Sequence, residues 1–432
     1  MRHAVGVDLG STTTKAVLLD EDGRILGRGI TNSRSNYDVA CQVAMTEAMI
    51  GARFGFIASS LEDRGLSEDA RRELLGDLER AFLRQQYLAQ LENLRKEVEA
   101  VAASSGASDE ERRGSGAITE RMEQESAELF SRGAERKSDF FRDLAGSRYA
   151  ELAEETAQEN GAPFDRLVGL FDKAILAVEN TPLPPESFEE HVREALRSLP
   201  DASRALEDAV GKAVAVELEQ LASVGTGYGR ARLPFPKESI RSEILCHGLG
   251  AHAMFPGTRT VLDIGGQDTK AIQVDERGIV TSFQMNDRCA AGCGRYLGYI
   301  ADEMNLGVHQ LGPLAVRARR PVRINSTCTV FAGAELRERL SLGEKREDIL
   351  GGLHRAIILR AMSLLARSGG VTDQFTFTGG VAKNPAAVGA LKLLVKQNYG
   401  EVALNISPDS IYTGAMGAAL FALRDAERRK AA

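Results

Sequence analysis

Three cysteines in two short segments carry the strongest signal for chemistry in this chain. Cys289 and Cys293 stand among small residues in the stretch from Asn286 to Arg295, and Cys328 follows in a Ser-Thr-Cys-Thr segment. Thiolates bind soft metals and iron–sulfur clusters, so this grouping indicates a metal or redox centre. We expect a helix to begin near Cys289, with Asn286 or Asp287 as its N-cap.

The other cysteines and the histidines give weaker signals. Cys41 and Cys246 are isolated and are expected in the core, where a lone cysteine packs as a small apolar residue. His247 follows Cys246, but no second ligand pair stands at zinc-binding spacing, so no zinc site is predicted. The remaining candidates are isolated histidines with predicted structural or exposed positions, namely His252, His309 and His354.

A second kind of site is indicated by an internal repeat. The segments Asp8–Ala16 and Asp263–Ala271 align without a gap, sharing Asp, Gly, Thr, Lys and Ala. The match continues to Asp20 and Asp275 and to two turn glycines, Gly23 and Gly278. Two copies of strand, glycine turn and strand in register predict a duplicated domain.

The repeated residues suit phosphate binding. Glycines let backbone N–H groups approach phosphate oxygens, hydroxyls add donors, and an acidic residue at a strand end can hold hydrated Mg²⁺ or position water. Two such hairpins facing each other would clamp the phosphates of a nucleotide. The candidate residues are Asp8, Gly10, Ser11, Thr12, Thr13 and Lys15 in the first copy and Asp263, Gly265, Gly266, Gln267 and Asp268 in the second.

Periodicity places these residues on elements. We predict strands over 3–8, 14–20, 24–30, 221–226, 259–264, 269–274, 279–283, 375–378 and 402–406. We predict helices over 37–49, 239–254, 288–305, 331–340, 346–368, 385–397 and 413–428. We predict that domain I spans 1–54 and is completed over 199–258, and that domain II spans 259–432. Between the two parts of domain I, residues 55–198 are predicted to form an inserted helical domain, with breaks at 104–116 and 181–185.

Composition excludes several classes of protein. The chain has 432 residues and a net charge of −7, which argues against nonspecific nucleic-acid binding. The sequence has no apolar run near the ~20 residues of a membrane helix, and it starts without a signal-peptide pattern. The expected location is cytoplasmic, without a membrane partner.

The two hairpins resemble the phosphate motifs of the actin, sugar kinase and Hsp70 ATPase superfamily, and Thr378–Asn384 resembles its adenosine motif. The resemblance implies an α/β fold of duplicated ribonuclease H-like ATPase domains with an inserted helical domain. It also implies catalytic roles for Asp8, Asp263, Gln267 and Asp268. Phosphates would be held by the remaining hairpin residues named above, and the nucleoside by Gly379, Gly380 and Asn384.

The cysteine segments are similar to those of the BadF/BadG/BcrA/BcrD ATPase family. The matching stretches are 263–270, 286–297, 326–331 and 378–385. The resemblance implies that Cys289 and Cys328 bind a [4Fe–4S] cluster shared with a partner subunit, because two thiolates supply only half of the four ligands. Cys293 departs from the family pattern, in which a small hydroxyl residue is usual.

Length suggests a particular member of that family. A chain with so large an insertion resembles the larger ATPase subunit of class I benzoyl-CoA reductase. This resemblance implies ATP and Mg²⁺ as cofactors, with a second ATPase subunit, reductase subunits and reduced ferredoxin as partners. Electrons would pass through the cluster to subunits that reduce an aromatic acyl-CoA ring. The alternatives are a homodimeric activator of a 2-hydroxyacyl-CoA dehydratase, a sugar or amino-sugar kinase, and a non-catalytic assembly protein.

Overall fold

The computed structural model describes residues 1–33, 36–134, 136, 138, 140–200, 203–286, 293–324, 329–372 and 374–431, excepting the side chains of 160 and 329–332. The predicted cluster ligands Cys289 and Cys328, and the candidate cap Asp287, lie outside these residues. The chain forms two compact units. One contains Met1 and residues 34–218, and the other contains 2–33 and 219–432.

The first unit is helical. Its helices are α1 (Tyr37–Glu62), α2 (Glu68–Ser104), α3 (Asp109–Leu129), α4 (Phe141–Asn160), α5 (Phe164–Asn180), α6 (Ser187–Ser198) and α7 (Arg204–Ala215). Two apolar cores hold it together, one among α2–α5 and one among α1, α2, α6 and α7. Helix α1 extends well beyond the predicted 37–49, and α7 was not predicted. The domain boundaries given above stay predictions.

The break expected over 104–116 is much shorter. Helix α3 already begins at Asp109, where the Ser108 side chain and Glu111 form a reciprocal capping box. Gly114 lies inside this helix, where a Cβ would approach Thr156 and Leu167 at 3.2 and 3.3 Å. Its small size therefore serves helix packing and does not mark a loop.

The second unit contains two mixed sheets. The first has strands β1 (Arg2–Leu9), β2 (Thr13–Asp20), β3 (Ile25–Asn32) and β4 (Glu219–Thr226) in the order β3-β2-β1-β4. The second has β5 (Thr260–Ile264), β6 (Thr269–Val274), β7 (Val280–Asn286), β8 (Phe375–Thr378) and β9 (Leu404–Asn405) in the order β7-β6-β5-β8-β9. Each begins as an antiparallel meander and adds a parallel strand beside its first strand.

The sheet register confirms the duplication. Asp8 pairs with Lys15 across the first hairpin, and Asp263 pairs with Lys270 across the second. The parallel neighbours also correspond, since Thr226 lies opposite Asp8 and Thr378 lies opposite Asp263. The repeat in sequence is therefore a repeat in three dimensions, down to the facing residue.

Seven α-helices complete the described part of this unit. They are α8 (Glu243–Met254), α9 (Gly294–Glu303), α10 (Val308–Val316), α11 (Thr329–Ser341), α12 (Arg346–Ser368), α13 (Pro385–Tyr399) and α14 (Thr413–Ala431). Helix α14 packs on the first sheet and α8 on the second. A large core joins the second sheet to α9, α10, α12 and α13. Among the described residues, only α12 is long and apolar enough to cross a membrane, and 67% of that window is buried, as in a core helix.

The helix near the first cysteines begins later than predicted. Cys293 is the N-cap of α9, in extended conformation, and Asn286 is the last residue of β7. Asn286 therefore does not cap this helix. Cys293 is buried at 1% exposure, as expected for a small packed residue.

Candidate nucleotide site

The two glycine turns face each other in the second unit. A Cβ on Gly266 would lie 2.2 Å from Thr12 Oγ1 and 3.4 Å from Ser11 Oγ, so the tips of the hairpins are in direct contact. Within the part of the chain that the structure describes, no hydrogen bond occupies the hydroxyls of Ser11, Thr12 and Thr13. These donors are available to a ligand, as the phosphate-clamp hypothesis requires.

The first turn is braced from β3. The Ser33 hydroxyl donates to the Gly10 carbonyl at 2.6 Å, and the Ser33 N–H donates to the Thr12 carbonyl at 2.8 Å. Thr14 Oγ1 lies 3.0 Å from the same hydroxyl. Ser33 therefore fixes the shape of the turn while the side chains at its tip stay open. Ser33 was not predicted as a site residue, because it lies outside the repeated segment.

The second turn is fixed by a buried lysine. Lys270 is 1% exposed, and its Nζ lies 2.8 Å from Asp268 Oδ1, 2.8 Å from Glu243 Oε1 and 3.4 Å from Asp263 Oδ2. Gly265 N–H donates to the Asp268 carbonyl at 3.0 Å and closes the turn. Gln267 lies half-buried at the tip. Lys270 and Glu243 were not predicted as site residues, although Lys270 is the repeat counterpart of Lys15.

This cluster changes the acidity of its members. Burial raises the pKa of Asp263, but the adjacent His247 and Lys270 outweigh burial and hold that pKa below its usual range. Burial also raises the pKa of Asp268. Burial lowers the pKa of Lys270, whereas the three carboxylates, led by Asp263, raise it above its usual value. Lys270 is therefore a permanent internal cation.

The two repeated lysines differ in their surroundings. Lys15 Nζ lies 3.9 Å from Asp8 Oδ2, which is too long for a hydrogen bond. Thr13 stands at the first-hairpin position that corresponds to Asp268, so Lys15 lacks that carboxylate. Lys15 is therefore the lysine free to reach a phosphate, and Lys270 is held in place.

Two glycines end the parallel strands beside the aspartates. Gly227 follows Thr226 with φ +102°, and Gly379 follows Thr378 with φ +86°. A Cβ would lie 2.5 Å from Asp8 Oδ1 in the first case and 2.3 Å from the Ile264 carbonyl in the second. Both positions therefore need glycine for conformation and for space. The loop at Gly227 follows β4 in the first sheet, just as the predicted adenosine motif at Gly379 follows β8 in the second sheet.

The adenosine motif is anchored through Asn384. Its Oδ1 accepts from Ala386 N–H and Ala387 N–H at 3.0 and 3.2 Å and so caps α13, while Nδ2 lies 3.0 Å from His354 Nε2. His354 Nδ1 lies 2.8 Å from the Leu350 carbonyl. Gly380 is exposed, with open space beside it. A nucleoside contact for Gly379, Gly380 and Asn384 stays a prediction.

The second glycine turn, which is the proposed phosphate turn, is hydrogen-bonded directly to α9. Gly294 N–H donates to the Gly265 carbonyl and Arg295 N–H to the Gly266 carbonyl, both at 2.8 Å. The first turn of this helix therefore depends on the shape of the second glycine turn. Cys293, the residue before this helix, follows Cys289 by four positions in the sequence.

Helices α9 and α11 run parallel. A Cβ on Gly333 would lie 2.7 Å from Tyr299 Oη, and Arg337 pairs with Glu303 at 2.6 Å. These contacts advance in the same direction along both helices, so both N-termini lie at the same end. The first residues of the two helices, Gly294 and Thr329, therefore lie at this same end. Among the described residues, no group of three or more His, Cys, Asp or Glu side chains forms a metal site.

Fold and site together define an actin-like ATPase with two repeated halves. The chain belongs to the BadF/BadG/BcrA/BcrD ATPase family, whose model matches residues 5–422. This membership makes ATP the nucleotide expected between the two glycine turns.

Individual relatives refine this result. The chain is 43% identical over 206 residues to the (R)-2-hydroxyglutaryl-CoA dehydratase activating ATPase of Acidaminococcus fermentans, covering 48% of this chain and 76% of that protein. It is 39% identical to the 2-hydroxyisocaproyl-CoA dehydratase activator of Clostridioides difficile, covering 52% and 82%. One of the benzoyl-CoA reductase subunits of Thauera aromatica is 34% identical, covering 40% and 62%.

A solved structure supports the fold. The A. fermentans dehydratase component A aligns with 99% of this chain and 100% of its own, with a TM-score of 0.55 and 22% identity. The comparisons thus confirm the family and the fold, but they favour the dehydratase activators over the benzoyl-CoA reductase subunit that chain length suggested.

Proposed function

We propose that this chain is the ATP-hydrolysing activator of a 2-hydroxyacyl-CoA dehydratase. The observation that carries the proposal is the pair of hydrogen bonds from the start of α9 to the carbonyls of Gly265 and Gly266. They join the phosphate turn to the helix that follows Cys289. A nucleotide that moves the turn would therefore also move the start of α9, the helix that follows the cysteine segment in the sequence.

The proposed cofactors follow from the same geometry. Asp8 and Asp263 are buried carboxylates at matched strand ends, which suits Mg²⁺, a cation that prefers oxygen ligands. Lys15 and the hydroxyls of Ser11, Thr12 and Thr13 would hold phosphates. Both oxygens of Asp263 already have protein partners: Lys270 Nζ lies 3.4 Å from Oδ2, and Thr378 Oγ1 donates to Oδ1 at 2.9 Å. Asp8 is therefore the better candidate for the metal.

We further propose that Cys289 and Cys328 hold half of a [4Fe–4S] cluster and that a second copy of the chain supplies the other half. When bound, the cluster would supply one low-potential electron. The parallel α9 and α11 begin at the same end, and each follows one of these cysteine segments in the sequence. The proposed partners are a second copy, a reduced ferredoxin and the dehydratase.

Chain length does not decide between partner enzymes. The helical unit has two apolar cores of its own, so it is an added module with independent packing. Its size therefore says little about which reaction the ATPase serves. The ATPase subunit of a benzoyl-CoA reductase is the second candidate, favoured by the 34% identity to the T. aromatica reductase subunit.

The test is activation of a partner enzyme. Chain purified without oxygen would be mixed with ATP, a reductant and either a 2-hydroxyglutaryl-CoA dehydratase or a benzoyl-CoA reductase lacking its ATPase subunits. We expect ATP-dependent dehydration and no ring reduction, with activity lost in Cys289→Ala and Cys328→Ala. Cys41→Ala, which removes a buried cysteine of the helical unit, is the control and should stay active. Ring reduction without dehydration would favour the second candidate.

A further inference from the structure

We infer that His247 is a positioning residue for ATP hydrolysis that links the two repeated halves of the site. It rests on the nucleotide site of the proposed function, but not on the cluster or on any partner enzyme. In the sequence, His247 stands beside Cys246 without a second ligand pair, so no site role was predicted for it. The structure places it between the two repeated aspartates.

The imidazole has a carboxylate near each of its nitrogens. His247 Nδ1 lies 3.5 Å from Asp263 Oδ1. His247 Nε2 and Asp8 Oδ2 both lie within 3 Å of the same point, the position that a Cβ on Gly414 would occupy. The side chain is buried at 8% exposure. Within the described residues, Nδ1 has no partner at hydrogen-bond geometry.

The position of His247 is fixed by close helix packing. A Cβ on Gly417 of α14 would lie 1.9 Å from the Cys246 carbonyl, and one on Gly250 of α8 would lie 2.0 Å from the Thr413 carbonyl. Because α8 and α14 touch through these small residues, the backbone that carries the His247 ring is held in place. Gly414, at the start of α14, leaves the space in which the ring meets Asp8.

The face of α8 that carries His247 points to the second glycine turn. Glu243 stands one helical turn earlier and pairs with Lys270 at 2.8 Å. Thr378 donates to Asp263 Oδ1, the same oxygen that His247 faces. Helix α8 therefore contacts the second hairpin through Glu243 and His247, and the His247 ring also lies near Asp8 of the first hairpin.

A buried polar atom without a hydrogen-bond partner lowers the stability of the folded chain, so its presence in a native site needs an explanation. An imidazole can hydrogen-bond at both ends. When the halves close on a nucleotide, His247 can shorten its 3.5 Å separation from Asp263 and bond towards Asp8, directly or through one water. It would then hold both carboxylates at fixed positions around the phosphates. Its contribution belongs to the closed, reacting state more than to nucleotide binding.

The test is steady-state ATP hydrolysis by the isolated chain. His247→Ala should lower kcat by roughly ten- to a hundredfold, the size of effect expected when catalytic groups are slightly misplaced. The KM for ATP should change by less than about threefold, because binding comes mainly from the glycine turns. His247→Gln keeps a donor and an acceptor and should recover part of kcat.

The matched control is on the same helix. His252 has its ring against the Gly278 turn, away from the two aspartates, so His252→Ala should leave kcat near wild type. Thermal unfolding of all variants separates folding defects from catalytic ones. Unchanged kcat in His247→Ala, an equal loss in His252→Ala, or a wild-type chain that binds ATP without hydrolysing it would overturn the inference. Normal ATP hydrolysis with no dehydratase activation would contradict only the proposed function.

Discussion

Thr12 and Gly266 bring the two halves of the repeat into contact at the tips of their hairpins. A single Cβ on Gly266 would come within 2.2 Å of Thr12 Oγ1. The proposed phosphate site is therefore a pair of turns in direct contact, and this contact limits how closely they approach.

The contact between Gly266 and Thr12 predicts that a second substitution restores ATP binding lost through the first. Gly266→Ala should push the turns apart and weaken ATP binding by about tenfold, because phosphate donors act only at short range. Adding Thr12→Ala removes the clashing Oγ1 and should restore part of the affinity, although it also removes a hydroxyl. Equilibrium binding of a fluorescent ATP analogue measures both variants. Additive losses would show that the two turns do not meet.

The repeated lysines should give opposite phenotypes. Lys270→Met leaves Asp263, Asp268 and Glu243 without their cation in a buried site, and breaking such a cluster costs about 3 kcal/mol or more. Lys15→Met should cost little stability but should weaken ATP binding. Urea unfolding and nucleotide titration distinguish them. Similar stability losses in both variants would contradict the assignment of Lys270 as the structural lysine.

The link between the second glycine turn and α9 can be weakened at one residue, because Gly294 N–H makes one of its two hydrogen bonds. Gly294→Pro removes the N–H that donates to the Gly265 carbonyl and sets its ring against that oxygen, while proline is well tolerated at the first position of a helix. Gly294→Ala keeps the N–H and is the control. In the proline variant we expect iron to be retained while the effect of ATP on the cluster's paramagnetic resonance spectrum disappears. A spectrum that still responds to ATP would exclude this route.

His354 predicts a pH dependence. Burial lowers the pKa of His354 despite its bond to the Leu350 carbonyl, so the folded chain favours the neutral ring that accepts from Asn384. The unfolded chain takes up its proton near pH 6.5. Stability should therefore be full above this pH and fall as pH drops towards the lowered folded value. Thermal unfolding between pH 8 and 5 should show a smaller decrease for His354→Gln. Identical profiles would contradict the prediction.

Sequence reasoning was strongest where residues repeat. The Asp8 and Asp263 segments align residue by residue, and the facing partners Lys15 and Lys270 follow from hairpin register alone. Ser33, Glu243 and His247 were missed because each reaches the site from another element. Such residues become visible only when helix packing and strand order are known.

The cysteine segment shows a different limit. Helical spacing suggested that one helix holds both Cys289 and Cys293, but the described part of α9 starts only after Cys293. Its first N–H groups are satisfied by the carbonyls of Gly265 and Gly266, a tertiary cap with no local sequence signal. Chain length suggested the benzoyl-CoA reductase subunit, whereas the comparisons favour the dehydratase activators.

The most direct test of the account is iron and spin analysis of the chain purified without oxygen. ATP-driven electron donation through a shared cluster predicts about four irons per two chains. It also predicts a reduced-cluster signal that changes when ATP is added, and loss of iron in Cys289→Ala and Cys328→Ala. An iron-free chain, or cysteine variants that keep a full cluster, would contradict it.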